Sequence, residues 1–231
     1  MTRHATLVVL SAWAWSLGGA NVRAQSARDL EAGTFELSTG ALWMGSASFG
    51  SRDATLTSAS GGRFSLFSTA SELAGASGVE GRVGSRLTRL VQVEGSASYT
   101  VPQLQTTVSA DSEGGTSVTA SEPIRQISLE GSVLVHLPRG RIGSRGVPFI
   151  SAGAGYLRQL HDGQILIQTG RTYHVGGGAK FPLVSRAGTG KRLKQIGVRV
   201  DARAVVRTGG VTFDGRAHTV PAVAASLFLR F

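Results

Sequence analysis

The chain has 231 residues, enough for one domain, and no cysteine, which excludes a disulfide framework, a cysteine-ligated metal centre and a thiol nucleophile. Its mean hydropathy is +0.07 and no run of about 20 apolar residues occurs, so a helical membrane protein is excluded as well. Lys and Arg number 24 against 14 Asp and Glu, and the resulting net charge of +10 invites a nucleic-acid interpretation that depends on where the charges fall.

Residues 1–24 have the three parts of a secretory signal peptide. Arg3 and His4 form a basic start, residues 5–20 are mostly apolar, and residues 22–24 place small or β-branched side chains where the peptidase needs them. The alternative, a buried or interfacial N-terminal helix, fits this pattern less well. We expect residues 25–231 to form the mature domain, with a net charge of about +8 once Arg3 and Arg23 are removed. An exported chain without cysteine is typical of a bacterial envelope protein.

From Gly33 onward, apolar and polar residues alternate with the period of a β-strand. The clearest case is 196–207, where Val198 and Val200 share one face and Arg199 and Asp201 share the other. The pattern predicts eight strands, at residues 34–46, 74–87, 90–102, 124–137, 147–160, 172–184, 195–207 and 218–231. These are longer than the ~5–6 residues of an ordinary strand and long enough for the ~9–11 that cross a bilayer.

Two regions leave questions open. In the strand 147–160, the row with Ile150 and Ala152 and the row with Phe149 and Ser151 are both weakly apolar, so the pattern does not decide which faces out. Residues 103–123 are rich in Ser, Thr, Gly and acidic residues and are predicted to form a long loop. The longest connection, 47–73, contains alternating pieces at 53–58 and 63–69 that could extend its hairpin beyond a membrane.

Eight alternating strands fit two barrels with opposite faces. A soluble lipocalin-like barrel turns its apolar rows inward around a small apolar ligand, whereas an outer-membrane barrel turns them toward lipid. The polar rows carry charges of both signs, which a narrow lumen would pair. In the membrane interpretation, the predicted lumen charge network is Glu36, Glu80, Arg82, Arg86, Glu94, Glu130, Lys180, Arg199, Asp201, Arg203, Arg207 and Arg230.

The aromatic residues favour the membrane barrel, because they lie at the predicted strand ends rather than in mid-strand. If the first strand runs outward from the periplasm, two girdles form, as interfacial anchoring by aromatic rings predicts. The predicted periplasmic girdle is Phe35, Phe149, Phe181 and Phe231, and the predicted outer girdle is Trp43, Tyr99, Tyr156 and Tyr173.

The end of the chain and two glycine-rich segments carry a family resemblance. The alternating stretch 227–231 ends on Phe231, which resembles the assembly signal of bacterial outer-membrane barrels. Residues 148–156, PFISAGAGY, and 173–181, YHVGGGAKF, resemble paired strands of the small eight-stranded outer-membrane barrels, the superfamily that includes the transmembrane domain of outer membrane protein A. The resemblance implies recognition of Phe231 by the barrel-assembly machinery. The predicted connections 138–146 and 185–194 are longer than the family's tight turns.

Much of the excess positive charge falls in the predicted periplasmic turns, at Arg89, Arg139, Arg141, Arg145, Arg186, Lys191, Arg192 and Lys194. Such turns would face anionic lipid or simply flank a hydrophobic band. The sequence has no aromatic platform among its charges and no recognition module, so no nucleic-acid partner is predicted.

Chemistry-bearing motifs are not found. The segment 187–192, AGTGKR, lacks the first glycine and the Ser/Thr of a phosphate-binding loop. His136, His161, His174 and His218 form no metal-ligand spacing, and His174 is predicted to line the lumen. We therefore predict no enzyme, no catalytic or metal site and no cofactor.

The resulting prediction is an all-β, eight-stranded, antiparallel, up-and-down transmembrane β-barrel in the bacterial outer membrane. We expect a monomer surrounded by outer-membrane lipid and lipopolysaccharide, with a structural, surface-interaction or weak small-solute role. The alternative is a soluble periplasmic or secreted barrel of the lipocalin type.

Overall fold

A computed structural model describes residues 33–109, 115–138, 140, 142–143, 146–161, 166–185, 193–211 and 215–231. The predicted signal peptide, 1–24, lies outside these residues. In the part of the chain that the structure describes, no helix is long and apolar enough to cross a membrane. The strands are β1 (Phe35–Met44), β2 (Ala47–Thr57), β3 (Arg63–Leu73), β4 (Ala76–Arg86), β5 (Val91–Thr100), β6 (Gln103–Ser109), β7 (Val118–Pro123), β8 (Arg125–His136), β9 (Val147–Leu160), β10 (Ile167–Ser185), β11 (Gln195–Gly209) and β12 (His218–Arg230).

Eight of these strands form a closed antiparallel barrel in the order β1-β4-β5-β8-β9-β10-β11-β12, with β12 pairing back to β1. Closure leaves no open sheet edge in the barrel, so every strand has two neighbours to satisfy its backbone donors and acceptors. A path that steps from each residue to its paired residue on the next strand starts at Met44 on β1, passes once round the barrel and returns at Thr34, ten residues earlier in the chain. The path runs through Ala222, Arg203, Gly176, Ser151, Leu134, Gln92 and Arg86. The shear is therefore ten residues, and the strands tilt accordingly.

These eight barrel strands are the eight that the alternation predicts, and most of their ends lie within about two residues of the expected positions. The fold class is confirmed: the described chain is an all-β, closed, eight-stranded barrel of meander type. The expectation of a loop over 103–123 is wrong, because its two ends form β6 and β7. Three of the seven residues of β6 and two of the six of β7 are Ser or Thr, and such polar side chains suit a sheet that contacts water on both faces and shows no hydrophobic alternation.

The remaining four strands form a second sheet, in the order β2-β3-β6-β7. Each continues one barrel strand beyond the same rim: β2 follows β1, β3 leads into β4, β6 follows β5, and β7 leads into β8. The pieces at 53–58 and 63–69 noted in the sequence belong to β2 and β3. We call this sheet the projecting sheet and its end of the barrel the sheet rim. The opposite end, where β1 begins and β12 ends, is the terminal rim.

The strand β9 takes a definite orientation that its sequence does not specify. Phe149, Ser151, Leu157 and Gln159 are buried inside the barrel, and Ile150, Ala152, Ala154, Tyr156 and Arg158 face outward. The glycines of β9 and β10 allow this wall to pack closely. A Cβ on Gly178 would lie 2.2 Å from the Val200 carbonyl oxygen, and one on Gly155 would lie 2.3 Å from that of Leu129.

Candidate functional site

The barrel interior collects the charged rows. All twelve residues of the predicted charge network have their side chains inside the barrel, where alternation along each strand directs them. Eleven are fully buried, and the Glu130 carboxylate is only 9% exposed. Buried charges are costly unless paired, so the contacts that each one makes decide how this interior is held together.

Asp201 lies at the centre of the interior and contacts three guanidinium groups. Its Oδ2 accepts a hydrogen bond from Arg82 Nη1 at 2.8 Å and from Arg199 Nε at 3.1 Å. The Nε of Arg203 lies 3.2 Å from its Oδ1. One carboxylate thus links β4, on one side of the barrel, to two positions of β11 on the other.

Two glutamates, Glu80 and Glu94, belong to the same central layer. Glu80 forms an ion pair with Arg82 and accepts from Arg203 Nη2 at 3.0 Å, while Glu94 Oε2 accepts from Arg199 Nη1 at 2.6 Å. Charge-assisted contacts of this kind are stronger than neutral hydrogen bonds. The result is a network that spans the barrel diameter.

Glu130 is the remaining carboxylate of this layer. It extends the layer toward β10, where it contacts the imidazole of His174. His174 Nδ1 lies 3.0 Å from its Oε2, and Thr172 Oγ1 donates to its Oε1 at 3.0 Å. His174 is buried and lines the interior.

A second polar layer lies toward the terminal rim, around Glu36. Lys180 forms an ion pair with this carboxylate, and Arg230 Nη2 donates to its Oε2 at 3.0 Å. Gln92, which the sequence prediction did not include, accepts from Lys180 Nζ at 3.1 Å. Gln92 lies in the same alternating row as Glu94, so the period-two pattern held the signal.

Phe149 is an exception to the predicted girdles, and its assignment there is wrong. It is 2% exposed and lies inside the barrel, where the Arg199 guanidinium stacks 4.7 Å from its ring centroid. Phe228 is also buried inside the barrel, with the Arg230 guanidinium 5.6 Å from its ring centroid. Both rings thus make cation–π contacts with members of the charge network.

Two interior arginines have no carboxylate partner among the described residues. Arg86 Nη2 lies 3.2 Å from His136 Nε2, and its Nε and Nη1 make no hydrogen bond. Arg207 Nη2 lies 3.3 Å from Met44 Sδ, and its Nε is likewise unpartnered. The two occupy opposite ends of the interior, so they do not share one anion.

Toward the sheet rim, the interior becomes apolar, which the sequence prediction missed. A continuous cluster of buried side chains fills this end: Leu42, Met44, Ala47, Phe49, Leu73, Leu104, Ile124, Val205, Val211, Val220, Ala222 and Ala224. We call it the apolar plug. Below it, a cavity of about 10 Å³ lies among residues that include Gln126, Glu130 and Arg207, which is room for about one water molecule.

The exterior of the barrel is apolar. Val79, Val83, Leu129, Ile150, Val175, Val200, Leu227 and Leu229 point outward and are exposed. An open depression in this wall, about 980 Å³ in volume, is lined by apolar side chains, by Gly81 and Gly95, and by several polar residues. A soluble barrel would have the opposite arrangement, so the lipocalin-like alternative is wrong. This is a barrel of the transmembrane type.

Aromatic side chains frame that apolar band at two levels. Trp43, Tyr99, Tyr156 and Tyr173 are exposed toward the sheet rim, and Phe35, Phe181 and Phe231 lie at the terminal rim. Phe231 exchanges backbone hydrogen bonds with Phe35 across the β1–β12 seam. Phe35 and Trp43 are eight residues apart on β1, or about 26 Å of strand and roughly 20 Å along a barrel tilted by ~40°. That height approaches the ~25 Å apolar band of membrane barrels.

Within the described residues, no group of three or more metal-ligating side chains occurs. His161 Nδ1 lies 3.0 Å from Glu122 Oε1 near the sheet rim. This contact joins β7 to the residue that follows β9.

The fold resembles several solved outer-membrane and surface proteins. OprG from Pseudomonas aeruginosa is 12% identical with a TM-score of 0.48, over 87% of this chain and 96% of that one. Neisserial surface protein A (NspA) is 12% identical with a TM-score of 0.47, over 86% and 96%. Ail of Yersinia pestis, crystallised with the heparin analogue sucrose octasulfate, is 14% identical with a TM-score of 0.43, over 87% and 100%. No protein-family model and no curated protein matches the chain.

Proposed function

We propose that this protein is a non-conducting, non-catalytic barrel of the outer membrane that anchors the projecting sheet at the cell surface. The observation that carries the proposal is the filled interior: a paired charge network and the apolar plug follow one another along the axis. An eight-stranded barrel has an interior just wide enough for its own side chains. Of the structural, surface-interaction and small-solute roles that the sequence allowed, solute transport is therefore the least favoured.

The projecting sheet supports the surface role. It extends four barrel strands well beyond the aromatic girdle and presents polar side chains on β6 and β7, including Thr107 and Thr119, whose hydroxyl groups lie 2.9 Å apart. Loops and extensions of rigid barrels are the positions where recognition commonly occurs. A surface role of the projecting sheet requires the terminal rim to face the periplasm and the sheet rim to face outward.

The absence of cysteine permits a direct test of this orientation. Ser60→Cys lies in the exposed turn between β2 and β3, and Arg89→Cys lies in the exposed turn between β4 and β5 at the opposite rim. We expect a membrane-impermeant maleimide to label Ser60→Cys on intact cells. Arg89→Cys should be labelled only after the outer membrane is permeabilised.

The two variants are matched controls for each other, since both carry one exposed thiol in a turn. Labelling of Arg89→Cys alone on intact cells would invert the orientation. Recovery of the wild-type chain in the soluble periplasmic fraction, without detergent, would overturn the membrane assignment.

A further inference from the structure

Three outward-facing arginines lie on adjacent strands near the sheet rim. Arg125 is on β8, Arg158 on β9 and Arg171 on β10, and all three are exposed. The register pairs Ile127 with Arg158, and Arg158 with Thr169, so Arg125 and Arg171 are each diagonal neighbours of Arg158. Diagonal pairs on one face lie about 7–8 Å apart, within mutual reach of long side chains. We call these three residues the arginine patch.

The shear of the barrel places the patch at one height. Ten residues of shear over eight strands mean that positions of equal height shift by slightly more than one residue, toward the terminal rim, from β8 to β9 and from β9 to β10. The diagonal step from one arginine to the next shifts by two residues in the same direction. Neighbouring arginines of the patch therefore differ in height by less than one residue. They form a short arc parallel to the membrane plane.

The same register places the arc next to the aromatic girdle. When heights are compared through the strand register and the shear, one level contains four aromatic residues from four different strands: Trp43, Tyr99, Tyr156 and Tyr173. The arginines lie one to three residues of strand above that level. Tyr156 is paired directly with Arg171, so a phenol hydroxyl accompanies the guanidinium groups. Aromatic rings of this kind sit at the headgroup level of a bilayer, so the arc reaches the phosphates.

The charge of this arc is confined to one side of the barrel. Among the described residues, no acidic side chain of β8, β9 or β10 faces outward, because Glu130 points into the interior. At the same height elsewhere, the described outward residues Val101, Thr208 and Thr219 are uncharged. Most interior arginines are paired with carboxylates, whereas none of the three in the patch has such a partner in the described part of the chain.

We propose that the arginine patch binds the phosphate groups of a phosphorylated glycolipid in the leaflet at the sheet rim. Guanidinium groups bind phosphate oxygens bidentately, and basic residues near an anionic membrane surface are attracted to it. This inference rests on the proposed function, since it requires the sheet rim to lie in the outer leaflet. It goes further by naming the side of the barrel, the three residues and the headgroup chemistry.

The test titrates the refolded full chain in detergent with lipid A that carries two phosphates, and with the same lipid after dephosphorylation. Bound lipid is counted by native mass spectrometry. We expect the Arg125→Gln/Arg158→Gln/Arg171→Gln variant to bind the phosphorylated form at least tenfold more weakly than wild type. The dephosphorylated form should bind wild type and variant alike.

The matched control is Arg52→Gln/Arg63→Gln/Arg89→Gln, which removes the same net charge from exposed positions away from this level. It should change binding of the phosphorylated form by less than twofold. Equal weakening by both triple variants would overturn the proposal, as would loss of the difference when millimolar inorganic phosphate is added, which would assign the patch to a soluble anion. If the thiols of Ser60→Cys and Arg89→Cys report the expected orientation while lipid binding fails the test, only this inference is lost.

Discussion

Asp201 is contacted by three buried guanidinium groups, since Arg82, Arg199 and Arg203 all approach its carboxylate within 3.2 Å. We predict that Asp201→Asn lowers the free energy of unfolding by about 3–5 kcal/mol, because it leaves buried guanidinium groups without their counter-charge. Urea unfolding of the refolded barrel, followed by tryptophan fluorescence, measures the change. Asp53→Asn, on the exposed part of β2, is the matched control and should alter stability by at most about 0.5 kcal/mol. Equal effects of the two substitutions would contradict the role of the network.

Arg207 provides the opposite case, because its guanidinium is buried without a carboxylate partner in the described residues. An apolar side chain of similar length avoids the cost of desolvating this charge. Arg207→Met is therefore expected to leave stability unchanged or to raise it. Arg82→Met, at a paired position, should lower it by about 3–5 kcal/mol. Urea midpoints of the two variants provide the comparison, and a loss for Arg207→Met as large as that for Arg82→Met would refute the distinction.

The residues that sequence alone could place are those in long, strictly alternating rows, such as Arg199 and Asp201 on β11. Phe149 could not be placed, because both rows of β9 consist of small or apolar residues and only contact with Arg199 fixes which faces inward. The apolar plug was invisible for a related reason. Leu42 and Val205 are apolar residues on the inward row, and alternation does not reveal that an interior changes from charged to apolar along its axis.

Where β10 and β11 pair, glycines of β10 lie against the backbone of β11. A methyl group on Gly178 would lie 2.2 Å from Val200 O and 2.6 Å from Asp201 Cβ, so these strands would have to separate. We predict that Gly178→Ala costs about 1–3 kcal/mol in stability. Gly95→Ala, where a Cβ meets nothing within 4 Å, should change stability by less than about 0.5 kcal/mol. Urea midpoints give both values, and equal midpoints would show that the barrel wall absorbs the methyl group.

The barrel strands were predictable because lipid on one side and charge on the other impose a period of two on every turn-to-turn segment. The strands β6 and β7 were not, because a sheet that contacts water on both faces has no such constraint. Their pairing depends instead on continuation from β5 and β8 and on contacts such as that between Ser71 and Thr106, 3.3 Å apart. Alternation therefore identifies strands whose two faces meet different surroundings, and it misses strands that contact water on both faces.

At the level of the whole molecule, the positive charge divides between two surfaces with different chemistry. Inside, arginine is used with carboxylates to fill the barrel, and outside, the arginine patch occupies one side of the sheet rim. Composition alone suggested an ordinary basic domain, whereas the placement of the charges describes a membrane barrel with a filled core.

Planar-bilayer recording measures whether the barrel is closed to solutes by its own side chains. Wild-type protein, shown to be folded by heat-dependent mobility in detergent gels, is added to the bilayer. We expect no stepwise conductance above the baseline of the bilayer, because the charge network and the apolar plug fill successive parts of the interior. Reproducible, long-lived conductance steps from the folded wild-type barrel would contradict it.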